Sequence, residues 1–159
     1  MIFGRAVRLS GAFLLSSALL GTVPAVGFPD GSRRCEVVVE GRGAVRRFSV
    51  PTCTFALSWI HSVERTEWRE TYVVDRDGEI VLSASEFSSG GAGLPDAVGE
   101  GETFRRENGA MRIEGRNVRI GNLRVRLSDV SHHRLGVDGK WIDLNAEFGD
   151  GVVTIRGAP

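Results

Sequence analysis

The chain has 159 residues, 42% hydrophobic and 25% charged, which is the balance of one ordinary globular domain. Its 20 basic residues offset 20 acidic ones, so no whole-molecule field draws it to nucleic acid.

Arg5 and Arg8 open the chain with no acid nearby, and the apolar run "GAFLLSSALLGTVPAV" follows. A basic start and an apolar run read as an export signal. Val23, Pro24 and Ala25 lie where a signal peptidase reads, so residues 1–25 are expected to be a signal peptide cleaved after Ala25. The rival reading is an uncleaved anchor, because residues 11–27 reach the lower limit of a membrane span. In both readings the arginines stay inside and the rest is exported. The expected address is the periplasm, with the protein soluble or anchored to the outer face of the inner membrane.

Residues 33–157 read as a single β-rich domain. "CEVVVEG" and "AVRRFSV" form a hairpin through "GRG", which returns the chain near Cys53 towards Cys35. There is no Cys-x-x-Cys pair, and two thiols are too few for zinc. A structural Cys35–Cys53 disulfide is expected, with two buried thiols as the alternative. "TFALSWIHS", "EWRETYVVD" and "EIVLSASEF" continue the strands. "TFRRE", "AMRIEG", "VRIGNLRVRL", "HRLGV", "KWIDLNAEF" and "GVVTIRG" complete them. The separators "DRDG", "ENGA", "VDGK" and "GDG" are hairpin turns, since Asn-Gly and Asp-Gly accept positive φ. Beyond the signal no window repeats its apolar residues every 3.6 positions. The expected fold is therefore all-β, a mostly antiparallel sandwich or partly open barrel.

Two segments stand apart. Residues 58–72, "SWIHSVERTEWRETY", gather two of the three tryptophans with His61, Glu64, Glu67 and Glu70. Residues 88–102 hold five glycines and a proline, and a loop of that length inside a domain is usually functional or disordered. Extended backbone would put His61 on one face with Trp59 and Val63, and Ser62 on the other with Glu64. Adjacent His61 and Ser62 then cannot pair as base and nucleophile, and no Gly-x-Ser-x-Gly is present. A metal site would need His61, Glu64, Glu67, Glu70, His132 or His133 to converge without any ligand spacing in the sequence. The plainer reading is that His61 donates a hydrogen bond beneath a tryptophan and that the glutamates pair with Arg65 and Arg69 at the surface. The backbone of "SSGGAG" can also form an anion nest for a small carboxylate or a partner peptide. The arginine-rich stretch from residue 105 to 126 alternates with apolar residues and reads as a solvated sheet face.

"WIHSVERTEWRETYVV", followed by a strand and "SSGGAGLPD", resembles a small bacterial family, domain of unknown function 1850. The resemblance lies in Trp59, His61, Ser62, Val63, Glu64, Glu70, Gly91, Ala92, Gly93, Leu94 and Pro95, with closing strands like "LGVDGKWIDL" and "GVVTIRG". It implies an exported protein associated with tripartite ATP-independent periplasmic transporters, with no catalytic residue and no cofactor. The expected function is docking to a membrane or solute-receptor subunit. Trp59, His61, Ser62, Glu64 and Glu70 would act with Ser89, Gly91, Gly93, Leu94 and Pro95. A small-carboxylate-binding domain is the alternative, and a periplasmic hydrolase or metalloprotein ranks below both.

Overall fold

Alternating side chains build the first hairpin. A computed structural model describes residues 34–88, 98–107 and 109–159, and in it β1 (Cys35–Gly41) and β2 (Ala44–Val50) pair antiparallel. They turn through Arg42 and Gly43 at φ 48° and 76°, the left-handed values that match the twist of a tight hairpin. Val37 and Val39 enter the core, while Glu36 and Glu40 meet Arg47 and Arg156 outside. Cys53 is bonded to Cys35 with Cα atoms 5.0 Å apart, as expected. Closing an 18-residue separation is worth about 3 kcal/mol in chain entropy.

The strands β3 (Thr54–Ile60), β4 (Glu67–Val74) and β5 (Ile80–Phe87) follow as a meander. Next come β6 (Thr103–Glu107), β7 (Ala110–Gly121), β8 (Leu123–Leu127), β9 (Arg134–Val137) and β10 (Lys140–Asp143). A short helix α1 (Leu144–Phe148) and β11 (Gly151–Ala158) close the chain. One sheet has the order β2-β1-β11-β8 and the other β10-β9-β3-β4-β5-β7-β6. Every neighbouring pair is antiparallel. The fold is an all-β sandwich. The disulfide ties β1 of the smaller sheet to the entry of β3 in the larger one.

Two runs differ from their sequence reading. "AMRIEG" and the start of "VRIGNLRVRL" form one continuous strand, β7, which loses register against β5 between Leu82 and Ala84. Gly115 sits in that bulge at φ 76°, where a Cβ would fall 2.5 Å from the Gly101 carbonyl oxygen. Only glycine fits there. Asn122 then hands the chain to β8 in the other sheet. In "KWIDLNAEF" the strand stops at Asp143, whose carboxylate accepts from the N–H groups of Asn145 and Ala146 at 2.9 and 3.0 Å. That cap starts a helix of five residues, too short to show a period of its own.

Val37, Val39, Val153 and Ile155 of the smaller sheet meet Phe55, Leu57, Tyr72, Val74 and Leu135 of the larger one in the main core. A second, smaller cluster of Phe87, Met111 and Ile113 packs with Trp68 on the larger sheet alone.

Candidate functional site

The pleat of β4 divides its residues between two environments. Trp68, Glu70 and Tyr72 face inward, while Glu67, Arg69 and Thr71 face outward. Register sets Trp68 opposite Trp59, and the two rings tilt together at 6.1 Å. Phe87 packs on Trp68 at 5.3 Å, and His133 stacks on Trp59 at 6.1 Å.

His61 joins this stack by an unexpected route. The strand ends at Ile60, and residues 61–66 form a turn closed by His61 N–H to the Thr66 carbonyl (2.9 Å) and Arg65 N–H to the His61 carbonyl (2.8 Å). Arg65 takes φ 53° there. The expected extended face shared by Trp59, His61 and Val63 is therefore corrected. The His61 ring folds back over Trp68 at 4.7 Å, whereas Val63 and Ser62 are exposed at the tip. The Glu64 N–H donates to His61 Nδ1 at 3.4 Å, which leaves the proton of a neutral ring on Nε2. Ile60 N–H reaches the Ser131 carbonyl at 2.7 Å, so the loop before β9 lies beside the hairpin. His133, only 8% exposed, has its pKa pushed below the ordinary histidine value by burial. Its Nδ1 and the Nε1 of Trp68 are buried without a partner among the described residues.

Glu70 leads into a chain of polar groups under the sheet. The Tyr72 hydroxyl donates to its carboxylate, and Ser85 Oγ approaches it at 3.5 Å. Arg116 donates to Ser85 Oγ at 2.8 Å and to Glu102 at 3.2 Å. Burial raises the Tyr72 pKa well above its ordinary value, and the Glu70 charge raises it further, so the phenol remains a donor.

The outward face of the same strand is organised around Ser58, which is 1% exposed. Ser58 Oγ donates to Glu67 Oε1 at 2.5 Å, and Arg134 Nη2 donates to the same oxygen at 2.8 Å. The serine hydrogen bond is the main reason the Glu67 pKa lies below the usual carboxylate value; Arg134 and Arg69 add to it and burial opposes it. Arg69 and Arg134 place their guanidinium carbons 5.2 and 5.3 Å from the centre of the Trp141 ring. Arg69 pairs with Glu67 at the surface, as expected, but Glu70 turns inward to Tyr72.

Of the residues singled out in the sequence, Trp59 and His61 meet in one stack, Glu64 closes the turn beside them, and Glu70 lies one pleat away. Ser88 is exposed at the end of β5. Ser89, Gly91, Gly93, Leu94 and Pro95 lie outside the described residues, as does the expected meeting of that loop with the hairpin. No three His, Cys, Asp or Glu side chains among the described residues are grouped to hold a metal ion. Sequence reasoning missed Ser58, Tyr72, Ser85, Arg116 and Arg134. Ser58 had a signal, since it alternates with Leu57 and Trp59 and so faces the charged side of the hairpin.

No curated protein and no solved structure matches the chain. The family model described as Domain of unknown function (DUF1850) matches residues 55–144, from β3 to the start of α1. That stretch holds every strand of the larger sheet, together with β8. Since it is more than half of the 159 residues, the chain belongs to the DUF1850 family.

Proposed function

We propose that this is an exported accessory domain that docks to a membrane or solute-receptor subunit of a tripartite periplasmic transporter and performs no chemistry itself. One observation carries the docking. Val63 and Val130, 71% and 69% exposed, are the most exposed large hydrophobic residues among those described. They sit on neighbouring loops joined by the Ile60–Ser131 hydrogen bond. The ring series His133–Trp59–Trp68–His61 runs from one loop to the other and stiffens both. Valines on loops anchored in this way lose little conformational entropy when a partner covers them. The transporter as partner rests on the family resemblance. The periplasmic address is supported by the basic-apolar N-terminus and by the disulfide, a bond of oxidising compartments.

The test is solute uptake in cells carrying Val63→Asp or Val130→Asp, alongside melting of each purified variant. Lost uptake with unchanged melting is the expected result, and normal uptake in both variants would overturn the docking surface. A second reading, a small-carboxylate-binding domain, draws on the buried, unpartnered Trp68 Nε1–H, which a ligand oxygen would satisfy. It requires saturable acetate or succinate binding that Trp68→Phe abolishes.

A further inference from the structure

We propose that the outer face of the larger sheet carries a second site, centred on Trp141, for a six-membered ring bearing a carboxylate. It uses none of the docking-loop residues and stands apart from the docking reading. Trp141 is 41% exposed on the edge strand β10 and lies across Gly136 of β9. A Cβ at Gly136 would come within 2.9–3.2 Å of three atoms of the indole, so glycine is what lets the ring lie down on the sheet. The guanidinium groups of Arg69 and Arg134 lie over its ring.

Both arginines are held in place. The buried Ser58 hydroxyl fixes Glu67, and Glu67 draws in Arg134 at 2.8 Å and Arg69 at 3.6 Å. Ordering two long cationic side chains on a solvated face costs rotamer entropy, and such surface pairs return little stability. Their hydrogen-bonding capacity is also largely unused. Among the described residues the terminal nitrogens of Arg69 meet carboxylates only at 3.6 and 3.8 Å. Arg134 engages through Nη2 alone. Glu86 is held more closely by Arg112, at 3.2 Å, than by Arg69. Arg69 and Arg134 share Glu67, and Arg69 has only a 3.8 Å share of Glu86, so weakly neutralised guanidiniums lie over a partly exposed indole. That combination suits an anion attached to a flat ring: the ring packs on the joint surface of guanidinium and indole, and its carboxylate takes the exposed terminal N–H donors. Uronic-acid saccharides and aromatic acids share this chemistry.

The chain contains three tryptophans and therefore shows three indole N–H signals in a proton–nitrogen correlation spectrum; Trp141→Ala identifies its own by deletion. The purified protein is titrated with trigalacturonate, with the uncharged methyl ester of that trisaccharide, and with benzoate. A saturable shift of the Trp141 signal with trigalacturonate and none with the ester is the expected result for a saccharide source. A saturable shift with benzoate alone assigns the site to aromatic acids. Arg69→Gln should weaken binding roughly tenfold through loss of a charge-assisted contact, without lowering the melting temperature. Absence of any Trp141 shift with both acids, an equal shift with the ester, or unchanged affinity in Arg69→Gln would each overturn the site. Uptake by the Val63 and Val130 variants is independent of all three outcomes.

Discussion

The two faces of β4 hold charged residues on opposite terms. Inward-facing Glu70 sits between Trp68 and Tyr72 and depends on fixed donors, the Tyr72 hydroxyl foremost. Outward-facing Glu67 has two arginines, a serine and solvent around it. Both carboxylates are half-buried, so the contrast lies in their partners: Glu70 leans on a buried phenol, and Glu67 on half-exposed arginines that solvent can replace. Substitutions on the inner face should therefore cost stability, and those on the outer face should mostly change recognition. The same contrast orders the expected effects by size.

The largest belongs to the inner face where it is wholly apolar. Leu57 lies opposite Glu70 on β3 and is buried in the main core. Leu57→Ala should lower the unfolding free energy by about 2–5 kcal/mol, through lost transfer energy and a cavity. Urea titration measures it. A loss no greater than that of an outer-face substitution would break the comparison at once.

Next in size is the polar chain beneath the sheet. Tyr72→Phe keeps the ring that stacks on Phe55 at 5.2 Å but removes the donor to Glu70. It should cost about 1–3 kcal/mol, since Glu70 then loses its closest partner. Its pH signature has a definite sign. Burial raises the folded pKa above the unfolded value of 10.0, so this stability is complete below pH 10 and is lost as pH rises above it. The phenylalanine variant should lack that alkaline limb in a series of melts.

His133 gives the opposite limb. Burial lowers its folded pKa from 6.5, so the unfolded chain takes up the proton first. Stability should fall as pH drops below about 6.5, and His133→Phe should flatten that part of the curve. Glu67 titrates lower, below its ordinary 4.5, so it does not shape the region near pH 6.

What could be read from the chain follows the range of each interaction. β-Branched alternation and glycine-containing turns are local, so most of the strands, the first hairpin and the Cys35–Cys53 bond were readable. The turn at residues 61–66 was not, because "HSVERT" contains no glycine, asparagine or proline, and the positive φ falls on Arg65. The short helix hides because one capping aspartate and five residues make no period. Sheet order was beyond reach, since β1 pairs with β11 across most of the chain and β3 with β9 across about half of it. The candidate sites divide in the same way. Trp59 and His61 stand out by type within one hairpin, but Arg134 joins Glu67 across 67 positions and Arg116 joins Ser85 across 31. Such partners emerge only once tertiary register is known.

The smallest effect is expected at Arg112, on the outer face of β7. It bonds Glu86 at 3.2 Å and Glu114 at 2.8 Å, and all three side chains are about a third to a half exposed. A cross-strand ladder of this kind looks substantial in a contact list. In water each pair gains little, because solvent screens the charges and ordering the long side chains opposes the gain. Arg112→Ala should therefore change the unfolding free energy by no more than about 1 kcal/mol, shrinking further as salt is raised. Parallel urea titrations at low and high ionic strength measure both quantities. A salt-insensitive loss as large as that of Tyr72→Phe would mean that the outer ladder carries the sheet, and the contrast between the two faces of β4 would fall with it.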